Sequence, residues 1–317
     1  MPLLDQRPIV PVSPLLSVVI PAKNAADSIG GTLGSLAVDR DIIHEILVVD
    51  DASGDHTAAR ARAFAKDLHL PVKVIPASFS NPGAARNLGM RAATGDLLFF
   101  IDADDEVLPD GLRFLTNCLL ANSDADLVIG AYVRRVAGTA EKLKVPLPYD
   151  TDSMRNACDY LANRHRSIAI GSALVRRNAV GDATFPENID FDEDTFFWAG
   201  VLTRANVVTA PCPVSVYNAD GSRMERRLVA ASYRDFDIVC GELDKLRDFG
   251  IARDILDWRK GWLARRLARA LIRQKHYDRA AELLRIASAQ HRRIRFSTKT
   301  LSYWMKIHFG SILEPRR

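Results

Sequence analysis

Four carboxylates follow directly on a short apolar run and form a dense group of side chains able to do chemistry. The run spans residues 97–101, and the acids are Asp102, Asp104, Asp105 and Glu106. The run is typical of a buried strand, and ligands bind beyond the carboxyl ends of strands in open α/β sheets. Since clustered carboxylates repel one another, a cation normally compensates them. The sequence predicts Mg²⁺ or Mn²⁺ shared with substrate phosphates; the alternative is an acidic turn that caps a helix.

The segments around this run alternate between strand and helix patterns. Apolar or β-branched runs predict strands at residues 17–20, 46–49, 72–75, 97–101 and 126–132. Helical spacing predicts helices over 29–36, 58–68, 83–93 and 109–121. Strands and helices that alternate through short links predict an α/β fold, Rossmann-like, with a mostly parallel sheet covered by helices on both faces. The strands that end near Val49 and Ile101 both lead into acids, at one edge of that sheet.

The second half of the chain is less regular and changes sign of charge. A second acidic and aromatic cluster spans 190–198, and we expect its Phe196, Phe197 and Trp198 to be core residues rather than ligand-stacking rings. Short strands are predicted at 207–208 and 214–217, and a helical region from about residue 228. Residues 1–222 carry a net charge of −8, whereas residues 223–317 carry 23 Lys and Arg against 11 Asp and Glu. That basic region could contact an anionic membrane, nucleic acid or the acidic part of the chain itself.

Composition narrows the classes of protein. The chain has 317 residues, of which 48% are apolar, so a full core is possible and global disorder is excluded. Its 4 cysteines form no closely spaced pair, which argues against a zinc site or a disulfide framework. The first 14 residues lack the features of a signal peptide, and no apolar run is long enough to cross a bilayer. We therefore expect a cytoplasmic protein, with possible peripheral contact to the inner face of the plasma membrane.

Five short motifs occur in a fixed order between residues 17 and 194. They are Ser17-Val-Val-Ile-Pro-Ala-Lys-Asn24, Val48-Val-Asp-Asp-Ala-Ser53, Gly83-Ala-Ala-Arg-Asn-Leu-Gly89, Asp102-Ala-Asp-Asp105 and Glu193-Asp194. Together they resemble the family 2 glycosyltransferases, which have the GT-A fold. The resemblance covers residues 15–225 and implies inverting, metal-dependent transfer of a sugar from a nucleotide-diphosphate sugar. The expected donor is a UDP-sugar, and the expected acceptor is a lipid-linked saccharide in bacterial exopolysaccharide or surface-polysaccharide synthesis.

The resemblance also implies roles for individual residues. Asp194, beside Glu193, matches the base that takes the acceptor proton, and Asp104 matches the metal ligand of an Asp-x-Asp motif, with Asp102 as a second ligand that also faces the donor ribose. Asp105 is a candidate support for these ligands. Asn218 stands where the family has an arginine, so Arg223 is the candidate replacement for phosphate contact. The remaining donor-binding candidates are Pro21, Ala22, Asn24, Asp50, Asp51 and Arg86.

Other enzyme classes lack their required motifs. A dehydrogenase needs Gly-x-Gly-x-x-Gly after its first strand, and a P-loop enzyme needs Gly-Lys-Ser/Thr; neither occurs here. The seven histidines show no metal-ligand spacing, and only His165, between the two acidic clusters, is a candidate for the site. A nucleotide-sugar-binding protein that recruits partners through a helical tail remains the alternative. Nucleic-acid binding by the tail ranks lowest because aromatic residues are not interleaved along it.

The sequence divides into an N-terminal extension (1–14), a GT-A glycosyltransferase domain (15–225) and a basic α-helical C-terminal region (226–317). We expect the C-terminal region to dock on the catalytic domain as a helical appendage and to contact an anionic membrane face. Residues 301–309 mix aromatic and basic side chains as interfacial segments do. The alternative is an ordinary solvated helix face with Trp304 in the core.

Overall fold

A computed structural model describes residues 14–163, 168–189, 191–219, 221–234 and 236–313, and gives the backbone alone at 221–225, 234 and 310–313. The N-terminal extension, except residue 14, and His165 lie outside the described residues. The strands are β1 (Leu16–Ala22), β2 (Ile43–Asp51), β3 (Val72–Ala77), β4 (Leu97–Phe100), β5 (Glu106–Val107), β6 (Leu127–Arg135), β7 (Lys142–Lys144), β8 (Ala173–Arg176) and β9 (Val207–Asn218). The helices are α1 (Ile29–Leu36), α2 (Thr57–Asp67), α3 (Pro82–Ala92), α4 (Gly111–Ala121), α5 (Ser153–Leu161), α6 (Arg177–Val180), α7 (Glu193–Leu202), α8 (Gly221–Arg234), α9 (Phe236–Lys245), α10 (Arg253–Arg273), α11 (Tyr277–Gln290), α12 (Arg292–Arg295) and α13 (Thr298–Leu313).

The strands form one sheet in the order β3-β2-β1-β4-β8-β6-β9-β5, with β7 paired to β6. Strands β3, β2, β1 and β4 are parallel, as the alternating sequence pattern predicts. Beyond β4 the sheet is mixed: β8 runs antiparallel to both β4 and β6, whereas β9 is parallel to β6. The expectation of a mostly parallel sheet therefore holds for the first four strands and not for the second half.

Two features of the second half differ from the sequence prediction. Strand β8 lies within the region that we expected to be irregular. The sequence did not reveal this strand because only four residues form it. The two short strands predicted around Pro211 and Pro213 are a single strand, β9. Its register against β6 shifts on both sides of Ala131. Such an irregularity lets prolines enter a strand, since the ladder there needs fewer backbone N–H groups.

Alternating side chains of the strands face two apolar layers. Val18 and Phe99 pack with α1 and α4 on one face, whereas Val19 and Phe100 pack on the other face with α5 and α7. Helix α3 lies close to that second face, because a Cβ atom at Gly89 would collide with Val19 Cγ1. Both faces are covered, which explains why the central strands read as continuous apolar runs.

The aromatic cluster that opens α7 is core, as expected. Phe197 and Trp198 are 0% exposed and Phe196 is 5% exposed. The Phe197 ring stacks on Phe185, with centroids 4.1 Å apart and planes 10° apart, and Phe100 meets both rings edge-on. This packing fixes the start of α7, which carries Glu193 and Asp194.

The C-terminal helices extend the same apolar layer. Leu263, Leu267 and Leu271 of α10 belong to one cluster with Phe197 and Trp198. Helix α8 begins at Gly221 and runs across position 226, the predicted start of the C-terminal region. Trp304 is half-buried against this cluster. In the part of the chain that the structure describes, no helix is both long enough and apolar enough to cross a bilayer.

Candidate active site

A cavity of about 660 Å³ opens at the carboxyl ends of β1, β2 and β4. Parallel strands bring these ends to one edge of the sheet, so three separate motifs of the sequence meet there. Of the predicted donor-binding and metal-binding residues, the cavity is lined by Pro21, Ala22, Asn24, Asp51, Arg86, Asp102 and Asp104, and Glu193 also reaches it.

Arg86 forms a buried ionic bridge across the floor of the cavity. Its Nη2 lies 2.6 Å from Asp102 Oδ1 and its Nη1 lies 2.8 Å from Glu193 Oε1. Helix α3 positions the guanidinium over the Phe185 ring, 5.3 Å from the centroid. Burial alone would lower the pKa of Arg86, but the charges of Asp102 and Glu193 raise it above its ordinary value. Arg86 therefore stays charged and holds two acids of different motifs together.

The acidic loop after β4 is fixed from the opposite side by Asn218. Its backbone N–H donates to Asp105 Oδ1 at 2.8 Å and its Nδ2 donates to the Asp104 carbonyl at 2.6 Å. Asp105 is buried, and this burial, followed by the nearby charge of Asp102, raises its pKa to about 9. Asp105 is consequently neutral at physiological pH, whereas Asp104 is exposed at the cavity. Asn218 thus orders the acidic loop through its backbone and its side chain.

The acids of this loop suit a divalent ion. Among the described residues, no three or more His, Cys, Asp or Glu side chains are grouped as metal ligands. Mg²⁺ in phosphate-handling sites needs only one or two carboxylates, because substrate oxygens and water complete its octahedron. Asp102 and Asp104 both line the cavity, and carboxylate oxygens are the ligands that Mg²⁺ and Mn²⁺ prefer. The residues present therefore fit such an ion.

The two acids at the end of β2 have different surroundings. Asp51 lines the cavity, and its carboxylate accepts the backbone N–H groups of Phe79, Ser80 and Asn81 at 2.5–2.9 Å. Asp50 does not line the cavity, because successive side chains of a strand point to opposite faces. Of the two acids, both predicted to bind the donor, only Asp51 lies beside this cavity.

The loop after β1 is held against the loop after β2. Asn24 adopts a left-handed backbone conformation, with φ of 50°. Its backbone N–H donates to Ser53 Oγ and its Oδ1 accepts the Gly54 N–H at 2.8 Å. Pro21 and Ala22 reach the cavity from the end of β1, beside Lys23, whose Nζ donates to Ser80 Oγ at 2.6 Å.

A second cavity, of about 380 Å³, adjoins the first and contains Asp194. The two cavities share five lining residues: Arg86, Asp102, Glu193, Tyr217 and Arg227. Asp194 is half-buried at the start of α7, where its Oδ1 accepts the Thr195 N–H at 2.8 Å. Burial, followed by the charges of Glu193 and Asp192, raises the pKa of Asp194 to about 7. A carboxylate with that pKa can accept a proton near neutral pH.

The C-terminal region supplies one wall of this second cavity. Arg259, Trp262 and Arg266, all of α10, line it. Arg259 Nη2 lies 3.1 Å from Asp192 Oδ2, and Arg266 is hydrogen-bonded to the same carboxylate. Although burial alone would raise it, these two guanidinium groups bring the pKa of Asp192 below its ordinary value. Asp192 therefore stays ionised and ties α10 to the turn that precedes Asp194.

Sequence reasoning missed several residues of the two cavities. Lys23 belongs to the first motif but was not among its candidate residues, and Trp262 was not a candidate either. Arg227 lines both cavities, whereas the side chain of Arg223, the predicted phosphate contact, is outside the described residues. Helices α8 and α10 are far from the motifs in sequence. The residues near the motifs therefore carry no signal for contacts with these helices.

Comparison with known proteins identifies the family. The model of glycosyl transferase family 2 matches residues 17–181. The chain belongs to glycosyl transferase family 2. The match spans the first four motifs and stops short of α7, so it covers the first cavity more fully than the one around Asp194.

Two curated family members extend the likeness. The chain is 26% identical over 226 residues to the poly(ribitol-phosphate) beta-N-acetylglucosaminyltransferase TarS of Staphylococcus aureus, an alignment that covers 68% of this chain but only 37% of TarS. It is 22% identical over 199 residues to the UDP-Glc:alpha-D-GlcNAc-diphosphoundecaprenol beta-1,3-glucosyltransferase WfgD of Escherichia coli, covering 62% of this chain and 74% of WfgD.

Solved structures of glycosyltransferases share the fold over most of the chain. TarS 1-349 in complex with UDP superposes with a TM-score of 0.59 at 16% identity, over 95% of this chain and 93% of that one. The mannosyltransferase PcManGT from Pyrobaculum calidifontis, in complex with GDP-Man and Mn²⁺, gives a TM-score of 0.57 at 19% identity, over 96% and 89% of the two chains. The GT-A fold expected from the motifs is thereby confirmed.

Proposed function

We propose that this family 2 protein is an inverting glycosyltransferase. It transfers a sugar from a nucleotide-diphosphate sugar, with UDP as the nucleotide, to a hydroxyl of a saccharide acceptor. The observation that carries the proposal is the pair of adjoining cavities that share Arg86, Asp102 and Glu193, with Asp104 in one cavity and Asp194 in the other. A site for a leaving diphosphate thus lies next to a site for a base.

The donor cavity suits a nucleotide diphosphate. Asp51 and the ends of β1 and β2 line this cavity, and we assign Asp102 and Asp104, which line it too, to the diphosphate. A divalent ion held by Asp104 and Asp102 would compensate the negative charge that develops on the leaving diphosphate. The Mn²⁺ in the PcManGT complex and the UDP in the TarS complex support this choice of ligands.

Asp194 is the general base of the proposed reaction. Its carboxylate takes the proton of the acceptor hydroxyl as that oxygen forms a bond to the anomeric carbon and the bond to the diphosphate breaks. Base and leaving group lie on opposite sides of the sugar in such a single displacement, so the configuration inverts. Because a sugar hydroxyl is weakly acidic, a base whose pKa lies near the operating pH is most effective. Glu193 raises that pKa and anchors Arg86.

The acceptor that we propose is a lipid-linked saccharide of bacterial surface-polysaccharide or exopolysaccharide synthesis. The support is the kind of acceptor in the name of WfgD, a diphosphoundecaprenol-linked sugar, and the polymer named for TarS. The wall of the second cavity is cationic and aromatic, since Arg259 and Arg266 lie over the Trp262 ring, 4.4 and 5.6 Å from its centre. The reaction then takes place at the cytoplasmic face of the plasma membrane.

Nucleoside diphosphate release from a panel of nucleotide sugars tests the function. We expect one donor to raise the thermal midpoint and to be turned over with Mn²⁺ or Mg²⁺, and Asp104→Asn to abolish turnover without loss of fold. Asp194→Asn is expected to lower the rate by roughly 10²–10⁴-fold, typical of a lost acid–base group, while donor affinity persists. Donor binding without any release over the whole panel would instead identify a nucleotide-sugar-binding protein.

A further inference from the structure

One face of the C-terminal helix α13 exposes apolar side chains along its length. Leu301 is 56% exposed, Met305 is 54% exposed and Phe309 is 61% exposed, and Phe296, just before the helix, is 74% exposed. The three helical residues are spaced four apart, so they form a continuous stripe. The opposite side of the helix is packed, since Thr300 and Ile307 are buried. A helix that is apolar both inside and outside needs a second partner for its outer stripe.

A basic pocket adjoins another side of the same helix. Its volume is about 340 Å³, and it is formed between the end of α10 and α13. Of the six described residues that line it, four are cationic and none is acidic: Arg269, Arg273, Lys299 and Lys306, with Ile272 and Tyr303. Lys306 Nζ lies 5.9 Å from the centre of the Tyr303 ring. Three further arginines follow one another closely in the preceding helix α12, where Arg292, Arg293 and Arg295 are exposed.

We propose that the outer stripe of α13 and the basic pocket at the same helix form a docking surface for an anionic lipid membrane. An apolar stripe and cations on different sides of one helix are the arrangement of a helix that lies in the membrane interface, where the apolar side chains enter the acyl boundary and the cations meet lipid phosphates. A second copy of the chain is a poorer occupant, because an isologous contact would place these cations against their own copies. Nucleic acid matches the cations but leaves the aliphatic stripe in water.

Helix α10 connects this surface to the second cavity. Trp262 and Arg266 line that cavity, whereas Arg269 and Arg273 line the basic pocket. The four residues are spaced four, three and four apart, so they share one face of the helix. At 1.5 Å per residue, Trp262 and Arg273 are separated by roughly 16 Å along the axis. The saccharide of a membrane-anchored acceptor could therefore reach Asp194 while its lipid stays in the bilayer. This consequence rests on the proposed function, whereas the docking surface itself does not.

Co-sedimentation of the full chain with vesicles tests the docking surface. We expect binding to vesicles that contain phosphatidylcholine and phosphatidylglycerol in equal parts, little binding to phosphatidylcholine alone, and weaker binding as salt is raised. Each cation near an anionic leaflet contributes a factor of about five to partitioning, so Lys299→Gln with Lys306→Gln should lower it about 30-fold. Leu301→Ser with Phe309→Ser should lower partitioning roughly tenfold or more, at low salt and at high salt alike.

Matched variants on β7 provide the controls. Lys142, Leu143 and Lys144 are exposed and line neither cavity. We expect Lys142→Gln with Lys144→Gln, or Leu143→Ser, to leave vesicle binding unchanged. Circular dichroism and thermal unfolding verify that each variant is folded, and turnover of a water-soluble acceptor is recorded separately. Loss of vesicle binding with normal turnover supports the surface, while normal binding with no turnover refutes the proposed function alone.

Three outcomes would overturn the inference. Equal binding to neutral and anionic vesicles would show that the cations do not contribute to binding. If the folded protein binds neither type of vesicle, the surface does not dock on a membrane. A dimer in sedimentation velocity that Leu301→Ser converts to monomer would show that a second copy covers the stripe.

Discussion

The strongest test of the site concerns the pH dependence of the reaction and its control by Glu193. Burial, with the charges of Glu193 and Asp192, raises the pKa of Asp194 to about 7, and the charge of Arg86 opposes this rise. Only the ionised carboxylate can take the acceptor proton. We therefore expect kcat/KM to rise with pH and to level off above pH 7. The ionised fraction grows from about one-eleventh at pH 6 to about ten-elevenths at pH 8, a tenfold gain in rate.

Glu193→Gln should move this inflection to lower pH. The substitution keeps the shape of the side chain and a hydrogen-bond acceptor for Arg86, which now lies 2.8 Å from Glu193 Oε1, but removes one negative charge beside Asp194. A like charge at close range in a partly buried site is worth on the order of 1–3 kcal/mol, so the inflection should fall to about pH 6 or below. At pH 6, kcat/KM expressed as a fraction of its high-pH plateau should then be about fivefold larger in the variant than in the unmodified protein.

Nucleoside diphosphate release at subsaturating acceptor, measured from pH 5 to pH 9 at constant ionic strength, follows this shift. Glu187→Gln is the matched control, because that carboxylate is 53% exposed and is no cause of the shift at Asp194. Its profile should coincide with that of the unmodified protein. An inflection that stays at the same pH in Glu193→Gln, or one that survives in Asp194→Asn, would show that another group is titrating.

Three further predictions concern stability, measured by urea unfolding. Asp194→Asn should stabilise the fold: a raised pKa in a folded acid means that stability is lost as pH rises from about 4 to 7, so the variant's advantage grows across that window and reaches at most about 4 kcal/mol. Asp105→Asn should also stabilise the fold, with an advantage that grows up to about pH 9, because burial and the charge of Asp102 raise the pKa of that carboxyl. A variant that unfolds more readily than the unmodified protein at pH 9 would contradict this. Arg86→Met should destabilise the protein by roughly 3–5 kcal/mol at pH 7, since Asp102 and Glu193 lose their shared partner; an unchanged midpoint would mean that the bridge is solvated.

Much of the donor site could be predicted from the sequence because its signals are local. A run of four or five apolar residues that ends in acids specifies both a strand and the chemistry at its end, and parallel strands bring such ends together. This logic placed Asp51, Asp102 and Asp104 at one cavity. The aromatic residues at the start of α7 were likewise recognised as core from their type and spacing.

Only the tertiary structure decided how these parts are joined. Arg86 and Glu193 are 107 residues apart, and no periodicity relates a cation on α3 to an acid on α7. The charge pattern separates a basic tail from an acidic front, yet Arg259 and Arg266 of that tail hold Asp192 and, with Trp262, form a wall of the cavity around Asp194. Local sequence fixes which residues are apolar, charged or extended, because those properties depend on near neighbours. Ion pairs and shared cavity walls depend on which distant elements pack together, and the energy of that packing is spread over the whole core.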